Sequence, residues 1–225
     1  MKNNRIKAVL WDMDGTLFNT KRGIGLAVNA AARDAGLIPP DSVEIERFIG
    51  PPIQETFAKF YGMSKEEASE AAAIFRTYYR EKNYVLESDP YPGLIEVLKD
   101  LREEGCFQAV CTLKKQDMAE RIIRENGMDP LFDSIIGTDA TDSIKKHDTI
   151  RMTCERLKIS EKEAVLAGDT DFDALGAEKA GCLFIGVTYG FGFKSKEDVD
   201  RYPNIGTAAS VRDIVDILKN YPQSS

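Results

Sequence analysis

Histidine is almost absent from this chain: His147 is the only one in 225 residues. A zinc centre built from several histidines is therefore excluded, and a Ser-His-Asp or Cys-His arrangement would have to use His147. That residue sits in a charged run, Lys145-Lys146-His147-Asp148. The four cysteines, Cys106, Cys111, Cys154 and Cys182, show no Cys-x-x-Cys spacing. Three of them lie in or beside apolar runs and read as buried free thiols. No apolar stretch reaches the roughly 18 residues of a membrane helix. The run Ala8–Trp11 meets Asp12 at once, so it is not the apolar centre of an export signal. A cytoplasmic protein with no membrane partner is expected. A basic stripe is missing too: 30 Lys and Arg stand against 37 Asp and Glu, a formal net charge of -7. That argues against a nucleic-acid partner, while one small phosphate needs only a local positive pocket.

What is present reads as an α/β protein. Five short apolar runs have the character of buried strands: Ile6–Trp11, Gln108–Thr112, Ser134–Thr138, Ala164–Gly168 and Cys182–Val187. Helical patterns separate them at Gly93–Glu104, Gln116–Asn126, Asp148–Leu157 and Asp171–Ala180. Buried strands alternating with helices predict a Rossmann-like parallel sheet with both faces covered. One interval breaks the rhythm. Between Asn19 and about Ser88 only helical patterns occur: Arg22–Ala35, Ser42–Phe48, Ile53–Tyr61 and Ser64–Tyr84. A crossover between parallel strands needs only about a dozen residues. The excess predicts a small helical domain, 19–87, inserted into a core domain made of 1–18 and 88–225.

Four groups of polar residues fall at or just beyond strand ends, the edge where open α/β sheets bind ligands. Asp12 and Asp14 follow the first strand in Asp12-Met13-Asp14-Gly15-Thr16-Leu17. Two carboxylates at about 4 Å repel by roughly 4 kcal/mol at an effective dielectric near 20, so a cation or a proton must relieve them. Thr112 closes the second strand just before a helix expected near Lys115, where a hydroxyl and free N–H groups suit a phosphate. Lys145 and Lys146 precede the helix expected from about Asp148, and a lysine there can act as a point charge on phosphate. Asp169 ends a buried strand and Asp173 follows four residues later, a hard-oxygen set suited to Mg²⁺. Read singly, each has a plainer explanation: a solvated acidic turn, a helix cap, a charged loop, acidic residues favoured in a first helical turn.

Taken in order, the acidic pair, Thr112, the lysine and the Asp169–Asp173 pair resemble the haloacid dehalogenase superfamily of phosphatases. Thr16-Leu17 complete its first signature, Asp-x-Asp-Gly-Thr-Leu. The resemblance covers nearly the whole chain, and the helical insertion is similar to that family's cap domain. It implies that Asp12 is a nucleophile forming an aspartyl-phosphate and Asp14 the general acid and base. Thr112 and Lys146 would hold the phosphoryl group. Mg²⁺ would lie among Asp12, the Asp14 carbonyl and Asp169, with Asp173 orienting a metal water or the lysine. Relatives often place proline after the lysine; this chain does not, so Lys145 remains an alternative to Lys146. Thr112-Leu113-Lys114 stands where relatives often read Thr-Ser-Lys or Thr-Asn-Lys.

The chain looks closest to phosphoglycolate phosphatases and to a bacterial 5′-nucleotidase-like group. Phe48-Ile49-Gly50-Pro51-Pro52 and Gly186-Val187-Thr188-Tyr189-Gly190-Phe191-Gly192 carry the second likeness. The implied partner is a small phosphorylated metabolite, and a monomer or weak homodimer is expected. A β-phosphoglucomutase-like isomerase shares the motifs but carries a cap-hinge histidine that this chain lacks. A non-catalytic receiver-type domain would place its phosphoacceptor near Asp139, after the third strand. Gly23-Ile24-Gly25 and Gly190-Phe191-Gly192 are lone Gly-x-Gly fragments, too short for a dinucleotide fingerprint.

Overall fold

The computed structural model describes residues 6–139, 141 and 143–222. The chain divides into two compact units, 1–18 with 90–225 and 19–89. In order, the elements are β1 (Ala8–Trp11), β2 (Phe18–Asn19), α1 (Lys21–Asp34), α2 (Ile53–Tyr61), α3 (Lys65–Glu81), β3 (Asp89–Pro90), α4 (Leu94–Glu103), β4 (Phe107–Lys115), α5 (Gln116–Glu125), β5 (Ser134–Thr138), α6 (Lys146–Leu157), β6 (Ala164–Gly168), α7 (Asp171–Ala180), β7 (Leu183–Val187), α8 (Lys196–Val199), β8 (Gly206–Ala208) and α9 (Val211–Asn220).

The first unit is a six-stranded sheet in the order β5-β4-β1-β6-β7-β8. All five strand pairings are parallel. This is the Rossmann-like α/β fold expected from the strand and helix pattern. β1 is central, with Trp11 aligned to Val110 of β4 and Ala167 of β6. Every residue of β1 is buried, so both sheet faces are covered. Ala8 and Leu10 pack with Ile150 and Cys154 of α6 and Ala174 and Ala177 of α7. Val9 and Trp11 point the other way, as strand alternation requires. Trp11 Nε1 donates to Gln108 Oε1 at 2.7 Å, which settles the indole of this buried side chain. Strands are laid down on one side of β1, then on the other. The switch therefore falls at β1, and its C-terminal end opens into the crevice where such sheets take ligands.

The second unit is helical. Ala27, Val28, Ala31 and Ala32 of α1 and Ala68, Ala71 and Ala72 of α3 are buried, which suits close helix packing through small side chains. An aromatic group, Phe48, Phe57, Phe60 and Tyr61, fills the end of this unit, with ring centroids 4.8–6.0 Å apart. Ser64 and Glu67 form a capping box that starts α3. The links between units, β2 and β3, pair as a two-stranded ribbon.

Two boundaries differ from the sequence pattern in ways that matter. The second strand runs on to Lys115, and its helix starts at Gln116, so Thr112 is not at a helix N-terminus. The third crossover helix begins at Lys146, two residues before the expected start. The helix after Asp169, α7, starts at Asp171 as the sequence pattern predicts. The sixth strand, β8, is only three residues long and gave no apolar run to read.

Candidate active site

Asp12 follows β1 directly, and its N–H extends the ladder to Ala167 O at 2.9 Å. The carboxylate is thereby carried to the sheet's C-terminal edge. Gly15 then turns the chain with φ +87°, a left-handed conformation that favours glycine. A Cβ there would stand 2.3 Å from Asp169 Oδ2, so Gly15 also lets the turn close onto the neighbouring strand end.

β4 breaks its register against β5. Four steps along β4, Cys111 to Lys115, match two along β5, Ile136 to Thr138. The bulge takes Thr112–Lys114 out of the paired register, a device common at active sites. Gln116 patches the break: its side chain accepts from Gly137 N at 2.6 Å and donates to Ile135 O at 3.0 Å. Thr112 is buried and its hydroxyl oxygen accepts from Lys114 N at 3.1 Å, which leaves the hydroxyl proton to donate elsewhere.

Lys146 is buried in the first turn of α6. Its ammonium bonds Asp12 Oδ1, Asp173 Oδ1 at 2.7 Å and Cys111 O at 2.7 Å. All three donors of the group are used. Burial alone would lower the pKa of Lys146, but the Asp12 and Asp173 carboxylates override it and raise it above the ordinary lysine value. Lys145, by contrast, is exposed at the N-cap. Gly176 of α7 makes room for the lysine stem; a Cβ there would lie 2.5 Å from Lys146 Cγ.

Asp173 is held at both ends. One oxygen meets Lys146, and the other accepts from Thr170 N at 3.0 Å and Thr170 Oγ1 at 2.7 Å. Asp169 Oδ2 accepts from Phe191 N at 2.7 Å and Gly192 N at 3.1 Å, while its Oδ1 is buried with no partner. Asp14 shows the same split: Oδ2 pairs with Lys114 Nζ at 3.0 Å, and Oδ1 is buried and unpartnered.

The structure thus brings Asp12, Lys146 and Asp173 into direct contact and places Asp169 beside them. Oxygens of Asp12, Asp169 and Asp173 all lie within 4.8 Å of one another. The Asp12 carboxyl is pushed up to about 7, chiefly by burial, with Lys146 opposing the rise and Asp173 and Asp14 adding to it. Burial raises Asp169 as well, reinforced by Asp173 and Asp12 and opposed by the two backbone N–H groups. When ionised, four carboxylates face two ammonium groups, which leaves the charge of one divalent cation to be supplied. An unpartnered oxygen on Asp169 and three clustered carboxylates are hard donors of the kind Mg²⁺ prefers. The donor set fits such an ion.

Lys114 was quoted in the sequence pattern without a role, although it is 6% exposed and paired to Asp14. Its position two residues after Thr112 was a usable signal, since i and i+2 share one side of an extended segment. The Tyr189–Phe193 segment beside Asp169 carried a family likeness in the sequence, but nothing there tied it to Asp169. Asp139 is half-buried, and its carboxylate accepts from Thr141 and Ser143. Those bonds hold its pKa down at about 2. Among the described residues, no helix is long and apolar enough to cross a membrane.

Comparison with known proteins bears on the family. The family model for haloacid dehalogenase-like hydrolases matches residues 9–187. A 5′-nucleotidase from Pseudomonas aeruginosa is 32% identical over 189 residues, covering 84% of this chain and 85% of its own. A phosphoglycolate phosphatase from Haemophilus influenzae is 27% identical over 201 residues, covering 85% and 89%. Among solved structures, a haloacid dehalogenase-like family hydrolase from Streptococcus pneumoniae superposes with a TM-score of 0.86 at 29% identity, over 94% of this chain and 97% of that one. With its sheet, its acidic edge and these relatives in agreement, the chain belongs to the haloacid dehalogenase-like hydrolase family and stands among that family's phosphatases.

Proposed function

We propose that this protein is a Mg²⁺-dependent phosphomonoester hydrolase that acts on a small phosphorylated metabolite through an aspartyl-phosphate on Asp12. The observation that carries the reading is the buried Lys146 ammonium shared between Asp12 and Asp173, next to an Asp169 oxygen with no protein partner.

Lys146 holds Asp12 Oδ1, which leaves Oδ2 as the attacking atom. In the first step a bond forms from Asp12 Oδ2 to phosphorus, and the bond from phosphorus to the leaving oxygen breaks. Asp14 gives its proton to that oxygen. The buried, unpartnered Oδ1 is the atom suited to the transfer, because Oδ2 is engaged by Lys114. In the second step Asp14 takes a proton from water as the water oxygen attacks phosphorus. The acyl-phosphate bond breaks, and Asp12 and inorganic phosphate are released. Thr112 donates its hydroxyl proton to a phosphoryl oxygen, and the Lys146 charge faces the same group. Asp173 keeps the lysine in place. Asp12 and Asp169, with the backbone carbonyl of Asp14, would hold the cation. Bound Mg²⁺ supplies positive charge against the phosphoryl oxygens and relieves the mutual repulsion of the carboxylates.

The named relatives narrow the substrate to candidates such as nucleoside 5′-monophosphates and phosphoglycolate. Phosphate release from a panel of such esters, with Mg²⁺ or with chelator, tests the reading. Release with Mg²⁺ that vanishes with chelator supports it. A folded protein that releases no phosphate from any of them under either condition refutes it.

A further inference from the structure

The segment after β7, Tyr189–Phe193, lies beyond the residues matched by the family model, which end at 187. Its Gly-x-Gly fragment has no nucleotide-binding context. It is wrapped instead around Asp169. Phe191 N and Gly192 N both donate to Asp169 Oδ2, and Phe193 N donates to the Asp169 main-chain oxygen at 2.7 Å. The approach is too close for side chains. A Cβ on Gly190 would stand 2.4 Å from Gly15 O and 2.5 Å from Asp169 Oδ2, and one on Gly192 would stand 2.2 Å from Asp169 O. Neither glycine has a positive φ, so close packing rather than backbone strain demands them. The Tyr189 hydroxyl donates to Thr16 O at 3.0 Å, and Lys194 Nζ donates to Gly190 O at 3.1 Å, pinning the segment at both ends.

We infer that Tyr189–Phe193 is a positioning clamp that restricts Asp169 to one-oxygen coordination and so selects Mg²⁺ over Ca²⁺. The inference rests on the cation reading above. With Oδ2 committed to two N–H groups, only the unpartnered Oδ1 can face an ion. Ca²⁺ takes six to eight oxygens and commonly uses both oxygens of a carboxylate, whereas Mg²⁺ accepts few protein oxygens in tight octahedral geometry. A fixed one-oxygen Asp169 suits the smaller ion. Loosening the clamp frees the second oxygen and relaxes the distinction. Outer hydrogen bonds to a metal ligand typically carry 10–100-fold in metal affinity.

Calorimetric titration with MgCl₂ and with CaCl₂ tests this without reference to turnover. Gly190→Ala adds the clashing Cβ. Phe191→Pro removes the shorter N–H bond to Asp169 without placing a side chain on either glycine. Both variants are expected to bind Mg²⁺ about 10-fold or more weakly, to lose less Ca²⁺ affinity, and so to narrow the preference. Thermal unfolding in chelator reports whether each variant is folded. In the unaltered protein, amide exchange is expected to be slow at Phe191 and Gly192 even in chelator. Folded variants with unaltered affinities for both ions would overturn the clamp. So would rapid exchange of those two amides, which needs no variant. An unaltered protein that binds no Mg²⁺ would instead overturn the cation reading beneath it.

Discussion

The two units of the chain solve the problem of burial differently. In the α/β unit, four charged residues are buried: Asp12, Lys146, Asp169 and Asp173. In the helical unit the buried polar residues among those described are Thr20, Thr56 and Ser88, all uncharged. The interior of the helical unit is assembled largely by apolar contact, through buried alanines and packed aromatic rings. The α/β unit keeps charges that cost stability to bury and are held only because each finds a partner. Charges retained at such a cost point to a functional role, and here they gather at one sheet edge.

This contrast can be broken by mutation. The largest effect is expected from Lys146→Met, which leaves Asp12 and Asp173 without their shared cation. Losing one partner of a buried pair typically costs about 3–5 kcal/mol, and phosphate release is expected to fall by roughly 10²–10³-fold because Asp12, the proposed nucleophile, is no longer held. Chemical denaturation and a phosphate assay check both. Phe57→Ala in the helical unit is expected to cost a similar ~3–5 kcal/mol through cavity formation yet leave Mg²⁺ affinity unchanged; calorimetry that finds weakened cation binding would erase the distinction between the units.

Smaller effects sharpen the comparison within the site. Gly176→Ala forces the new methyl group against the Lys146 stem, at about 1–3 kcal/mol for overpacking. Turnover is expected to drop by roughly tenfold if the ammonium is displaced by a fraction of an ångström, with KM less affected. The smallest effect concerns pH. Burial holds the Asp12 carboxyl at about 7 against an ordinary value of 3.8. The native state therefore binds more protons than the unfolded chain between those values. In chelator, stability is expected to fall as pH rises through that window. Added Mg²⁺, by favouring the charged carboxylates, is expected to raise the melting temperature more at pH 7 than at pH 5.

Much of this was readable from sequence because the physics was local. Buried parallel strands are short apolar runs, and Ala8–Trp11, Ser134–Thr138 and Ala164–Gly168 stand out by composition alone. Asp12 and Asp169 were legible because they directly follow strand ends, a rule of sheet geometry rather than of long-range packing. What stayed hidden depended on residues distant in sequence. The bulge at Thr112–Lys114 is set by β5 and by Gln116, and nothing in Cys111–Lys115 itself announces it. The pairing of Lys114 with Asp14 joins residues one hundred positions apart. The need for glycine at 176, 190 and 192 appears only when Lys146 and Asp169 are brought against them. The charged run itself did not separate Lys145 from Lys146, and only the family resemblance favoured Lys146; the helix starting at Lys146 buries Lys146 and leaves Lys145 exposed.

The most direct test concerns Asp12 as nucleophile. The protein and its Asp12→Asn variant, both verified as folded, are incubated with Mg²⁺ and the phosphate esters, and release is followed alongside acid-quenched mass spectrometry. The expected result is turnover and a +80 Da adduct on the peptide carrying Asp12, with both lost in the variant. Turnover retained by Asp12→Asn, or an adduct on any other residue, would contradict the assignment.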